Sequence, residues 1–174
     1  LCAGSILRFG TDEQKQRWLP GIAKGEIICS ACLTEPGGGT DLGNMASTAT
    51  KVEGGYRLTG SKVFISHAEH ASLFFVVASV DRSKKHKGVT AFLVDPKQTE
   101  GIVLGDFPMR TLKRDNLAEV HFENAFVPEE SVLGQAGGGF PVLGSALDLG
   151  RFSVAARQVG QVQRALDLAL PCAM

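Results

Sequence analysis

From Ile27 to about Val127 the chain offers short apolar runs at regular intervals and no helical period, and nothing else in it constrains the fold as strongly. The runs are IICSACLT, ASTATKV, YRL, KVFIS, LFFVVASV, VTAFLVD, IVLGDF and LAEVHFENAFV. Turn chemistry separates them: Glu53-Gly54-Gly55, Thr59-Gly60, Asp95-Pro96 and Thr99-Glu100-Gly101. Brief strands without intervening helices predict an antiparallel sandwich or barrel, because βαβ units would need a helical pattern between them.

The period changes on both sides of this region. Thr11 and Gln14 have capping-box spacing, and DEQKQRWL behind them reads as a short helix that stops at Pro20-Gly21. After Gly137-Gly138-Gly139, Pro141 suits a first helical turn, and apolar residues from Leu143 to Ala169 recur at helical spacing until Pro171. A helix of that length needs partner helices to cover its stripe. The reading is an α+β chain: a sandwich- or barrel-like antiparallel middle domain over 27–134, flanked by helical segments at 1–26 and 135–174.

Composition excludes some partners. A formal net charge of +0 gives no electrostatic case for nucleic acid or an anionic membrane surface, so neither is expected. LFFVVASV is far too short to span a bilayer, and no basic start followed by an apolar segment marks a signal peptide. Cys29 and Cys32 form a CxxC, but no second CxxC or close His pair follows, and no metal site is expected. Three apart on a strand, the two thiols point to opposite faces. Cys2 and Cys172 stand isolated in sequence, so all four cysteines read as small apolar residues in a reducing compartment.

The stretch CLTEPGGGTDLG (Cys32 to Gly43) is the most unusual local feature. Pro36 removes a backbone donor, and three glycines follow it with threonines on either side. Successive N–H groups in such a turn can form a nest for phosphate or carbonyl oxygens. It is neither a Walker loop, since GxxxxGK[ST] is absent, nor a dinucleotide fingerprint, since no GxGxxG opens a helix. A plain wide turn between strands is the other reading.

The order of motifs is more specific. LTEPGGGTD (Leu33 to Asp41) followed by GSKVFIS (Gly60 to Ser66) resembles the acyl-CoA dehydrogenase family. The resemblance continues in FGTDEQKQRWLPGIAKGE, KGVTAFLVD, LAEVHFENAFVPEESVLG and LDLGRFSVAARQVG, and covers the chain to about Leu170. It implies an N-terminal helical domain, a central β domain and a C-terminal bundle through which subunits assemble as homo-oligomers, usually tetramers. It also implies bound FAD, an acyl-CoA substrate oxidised to 2-enoyl-CoA, and an electron-transferring flavoprotein as acceptor. The implied location is the bacterial cytoplasm or the mitochondrial matrix.

By the same resemblance, Leu33 and Thr34 meet the flavin ring, while Gly39 and Thr40 approach its phosphate end, with Thr40 also near the pantetheine. Phe64, Ile65 and Ser66 form the second wall, Phe64 standing where relatives more often carry Trp. Thr34 and Ser66 are expected to face one cavity with Phe64 lining it. Strand aromatics are often plain core, and Phe64 has that reading too. Asp148, Leu149, Gly150 and Arg151 are implied to lie beside the thioester and pantetheine arm, and His86 near CoA. On residue type alone, Asp148 and Arg151 are a helical i,i+3 pair and His86 a loop histidine.

The chemistry needs a carboxylate to remove the α-proton. In the isovaleryl and long-chain branches that base directly precedes the arginine of this helix, and here the position is Gly150. Elsewhere in the family it lies further along the bundle, so this chain by itself is expected to be inactive. Acyl-CoA oxidases and related flavin oxygenases share the fold, and a non-catalytic β module is the third reading.

Overall fold

A computed structural model describes residues 1–107 and 117–173. Two helices, α1 (Cys2–Phe9) and α2 (Asp12–Lys24), precede the strands β1 (Cys29–Cys32), β2 (Thr48–Val52), β3 (Gly55–Ser66) and β4 (Leu73–Ser79). β5 (Val89–Val94), β6 (Ile102–Phe107), β7 (Leu117–Pro128) and β8 (Val132–Leu133) follow, and α3 (Gly139–Ala173) closes the order. The chain is α+β, as its periods predict. Among the described residues between Ile27 and Val127, the only helical elements between the strands are short 3-10 turns.

The strands lie in the order β6-β7-β3-β2-β4-β5-β8, with β1 added alongside β4. Pairing is antiparallel except for β1 on β4, which is parallel over four residues, and one parallel bridge, Thr48 to Ser79. β4 and β5 are buried at every position, so they do not alternate as half-exposed strands would. Phe74, Val76, Phe92 and Val94 face a core closed by β3 and β7, whereas Leu73, Phe75, Val77 and Leu93 face the core shared with the helices. Cover on both faces is the physical reason for the unbroken apolar runs LFFVVAS and VTAFLV.

The structure redraws three boundaries. Thr59-Gly60 is no turn: β3 runs through it, with Gly60 at φ +146 beside a register shift. A Cβ there would meet Ser47 Oγ at 2.4 Å, so glycine meets both the conformation and the close approach. α2 does not stop at Pro20 but continues to Lys24, where Gly25 caps it at φ 76. Pro20 costs it one hydrogen bond, and the cap supplies the stop. α3 likewise passes Pro171 and reaches Ala173.

The capping box on α2 is formed: Gln14 N–H donates to Thr11 Oγ1, and Thr11 N–H to Gln14 Oε1. The amide of Gln14 also donates to the carbonyls of Glu130 and Val132, fastening α2 to the end of the β domain. Val142 and Leu143 seat the start of α3 in the helix-side core, and Ala146 one turn on is also buried. From Phe152, which is 81% exposed, the rest of that helix stands in solvent.

Candidate functional site

The glycine-rich loop leaves β1 beside the bulged end of β3, and a buried ion pair locks the two together. Lys62 Nζ lies 2.8 Å from Glu35 Oε1, with the side chains 0% and 6% exposed. Glu35 also accepts from the Ala46 and Ser47 N–H groups, and Lys62 donates to the Leu33 carbonyl at 3.2 Å. Burial acts to raise the Glu35 pKa, but the Lys62 charge, its hydrogen bond and the two N–H donors outweigh it and hold the carboxyl below its ordinary range. Burial lowers Lys62, with Glu35 opposing that shift. By sequence Glu35 is a turn residue and Lys62 has no role. The available signal was a lysine inside an apolar strand, which must find an opposite charge when buried.

The bulge sets the wall. Lys62 pairs with Val120 and Ile65 with Ala118, so β3 carries one residue more than β7 across this step. Val63 and Ile65 are both buried, while Phe64 at φ 61 turns outward, 53% exposed. A left-handed aromatic is strained by about 1–3 kcal/mol, which the surrounding ladder must hold. Further along, Ser30 Oγ donates to the Ser66 carbonyl at 2.7 Å, and Val63 N–H to the Thr34 carbonyl at 2.9 Å.

A hollow of about 440 Å³ is lined by Phe64, Ser66 and His67 together with Cys29, Ser30 and Ala31 of β1 and the start of α1. Thr34 is not in its lining; its carbonyl accepts from Val63 N–H, three positions before Ser66. Thr34 instead abuts Gly39, where a Cβ would lie 3.0 Å from the threonine methyl. Glu35 and Gly38 exchange backbone hydrogen bonds around Pro36-Gly37, which makes the loop a tight turn. Gly37, Gly38 and Gly39 all have φ outside the left-handed region, and only Gly39 meets a close neighbour. Leu33 is half-buried toward the helices, Ile65 lies in the strand core, and Thr40 is exposed.

The remaining predicted residues fall in two groups. His86 is exposed, its ring 5.7 Å from that of Phe140 at the start of α3, and its backbone packs on Gly43 beyond the glycine loop. Asp148 and Arg151 pair at 3.0 Å, each 76% exposed, so the guanidinium does not turn inward. Their neighbours Leu149 and Gly150 abut Gly4 and Leu1 of the first helical segment. A larger hollow of about 790 Å³ between α2 and the sheet holds none of the predicted residues. Cys29 and Cys32 do lie on opposite faces, and Cys2, isolated in sequence, lines the 440 Å³ hollow together with Cys29. Among the described residues no group of three or more His, Cys, Asp or Glu is placed to hold a metal, and no helix is long and apolar enough to cross a membrane.

Comparison with known proteins gives this geometry its class. The family model for the acyl-CoA dehydrogenase N-terminal domain matches residues 1–26, and that for the middle domain matches 30–125. The chain is 39% identical over 171 residues to mitochondrial isovaleryl-CoA dehydrogenase of Solanum tuberosum, covering 98% of this chain and 42% of the relative. It is 40% identical over 172 residues to the mitochondrial short-chain specific acyl-CoA dehydrogenase of Homo sapiens, covering 98% and 41%. The structure of butyryl-CoA dehydrogenase from Megasphaera elsdenii matches with a TM-score of 0.85 at 37% identity, over 90% of this chain and 41% of that one. The fold is therefore that of the acyl-CoA dehydrogenase N-terminal and middle domains. The chain belongs to the acyl-CoA dehydrogenase family. It spans about two-fifths of the length of these relatives.

Proposed function

We propose that these residues supply the flavin-facing wall of an FAD-dependent acyl-CoA dehydrogenase that converts an acyl-CoA thioester to the 2-enoyl-CoA. The carrying observation is the Glu35–Lys62 lock, which fixes the TEPGGGT loop against the bulge that turns Phe64 outward. The residues fit the cofactor: Phe64 offers an apolar plate, Ser66 a hydroxyl on the same exposed side of β3, and Gly39 a close backbone approach beside Thr34. Bound there, FAD would accept the hydride from the substrate Cβ. Residues 1–26, 27–134 and 135–174 would be the end of the N-terminal helical domain, the β domain and the start of the C-terminal one.

In this reading His86 and Thr40 flank the CoA arm near the start of α3, and Asp148 and Arg151 meet the thioester side. No Asp or Glu lines the 440 Å³ hollow among the described residues, and position 150 is glycine. We therefore place the α-proton base outside these 174 residues and expect the chain alone to be inactive. General-base catalysis contributes about 10²–10⁴-fold, so its absence would dominate the rate. Homo-oligomerisation, usually tetrameric, would cover the exposed face of α3, and an electron-transferring flavoprotein would take the electrons.

The test is anaerobic bleaching of the flavin visible band by short- and medium-chain acyl-CoA. It is run on this chain and on one extended through the C-terminal bundle, each after incubation with FAD. Bleaching by the extended form alone is expected. Reoxidation by O₂ in place of an electron-transferring flavoprotein would identify an oxidase, and no flavin band in the extended form would refute the reading.

A further inference from the structure

Position 67 breaks the alternation of β3. Phe64 and Ser66 are exposed and Ile65 is buried between them, so an extended continuation would send residue 67 inward with Ile65. His67 instead adopts φ 59, ψ 21, in the left-handed region, and is exposed. Ala68 takes the inward position in the strand core, and His70 N–H donates to the His67 carbonyl at 3.0 Å to start the next turn. Phe64, Ser66 and His67 thereby all line the 440 Å³ hollow. Left-handed backbone is uncommon outside glycine, and here two such residues, Phe64 at φ 61 and His67, bracket Ile65-Ser66. Backbone of this kind persists only where the surrounding structure holds it, and both side chains that it displaces reach the same hollow.

The polar groups of that hollow are few. No Asp, Glu, Lys or Arg lines it among the described residues, and its two cysteine thiols are weak donors. The Ser30 hydroxyl is already committed to the Ser66 carbonyl. The Ser66 hydroxyl and the His67 imidazole remain, and among the described residues neither side chain has a hydrogen-bond partner.

We infer that His67 is a further cofactor-binding residue, whose ring N–H donates to the polar edge of the planar heterocycle that Phe64 backs. The inference rests on the reading of this hollow as flavin-facing. An imidazole keeps at least one N–H donor whether neutral or protonated, so the contact does not depend on its charge. An isoalloxazine carries carbonyl oxygens and ring nitrogens along its polar edge, and two-electron reduction makes that edge richer in electrons. A donor placed there holds the reduced cofactor more tightly than the oxidised one, since hydrogen bonds strengthen as their acceptor gains charge. His67 therefore raises the midpoint potential of the bound flavin as well as its affinity.

The experiment uses the FAD-loaded protein extended through the C-terminal bundle, as the parent, as His67→Gly and as His67→Asn. Glycine adopts φ 59 without strain and removes the ring, while asparagine tolerates the same region and keeps an N–H donor. FAD affinity is read by titrating the apoprotein, the midpoint potential by spectroelectrochemistry, and the fold by melting of each apoprotein. His67→Gly is expected to bind oxidised FAD more weakly and to lose roughly tenfold in preference for the reduced form, a fall of about 30 mV for a two-electron couple. Its apoprotein should melt no lower than the parent, and His67→Asn should recover about half of the shift in potential. A His67→Gly protein with the parent's potential would overturn the inference, as would an asparagine variant no better than glycine. So would a loss seen only in apoprotein melting. An extended parent without a flavin band would refute the reading of the hollow itself, which separates that failure from this one.

Discussion

Replacing Lys62 by methionine tests the lock on which the site depends. Methionine fills a similar volume but leaves the Glu35 carboxylate, 6% exposed, without its cation. Removing one partner of a buried pair costs about 3–5 kcal/mol. The Ala46 and Ser47 N–H groups still reach Glu35 and should keep the loss near the lower figure. At about 2–4 °C per kcal/mol for a chain of this size, the melting temperature should fall by roughly 6–12 °C. Adding Glu35→Gln removes the stranded charge while keeping an acceptor for one N–H group. The double variant should recover about 1–2 kcal/mol relative to Lys62→Met alone. Urea unfolding followed by near-UV circular dichroism, with scanning calorimetry, reads both numbers. A Lys62→Met chain that melts within about 2 °C of the parent would refute the lock. So would a double variant no more stable than the single one.

The same carboxylate predicts a pH limb. The folded-state pKa of Glu35 lies below its unfolded value, so its contribution is present above the ordinary carboxylate range and lost as pH falls through the folded value. Urea midpoints should drop on acidification, and less steeply in Glu35→Gln; parallel curves would count against it. Gly60→Ala should destabilise by at least about 1–3 kcal/mol, because φ is +146 and the new Cβ would collide with Ser47; an unchanged urea midpoint would contradict this. Asp148→Asn removes a pair 76% exposed on both sides and should cost no more than about 1 kcal/mol. In the extended protein the same change should weaken acyl-CoA binding, measured by titration calorimetry; unchanged affinity would remove the pair from the substrate site.

The local features were legible because they depend on neighbours in sequence. The Thr11–Gln14 box, the strand runs and the helical period after Gly139 involve residues a few positions apart, where spacing and residue type carry the physics. The ordered motifs at Leu33–Asp41 and Gly60–Ser66 likewise pointed to the family that the comparisons show. Tertiary structure decided what depends on contact across the chain. Lys62 and Glu35 are 27 positions apart, and nothing local says that their charges share one buried space. Gly60 resembles a turn until the approach of Ser47 shows why a continuous strand needs it. Cys2 is isolated in sequence and comes to line one hollow with Cys29 only once α1 lies on β1. In each case the deciding term is desolvation or close packing, set by elements brought together from distant parts of the chain.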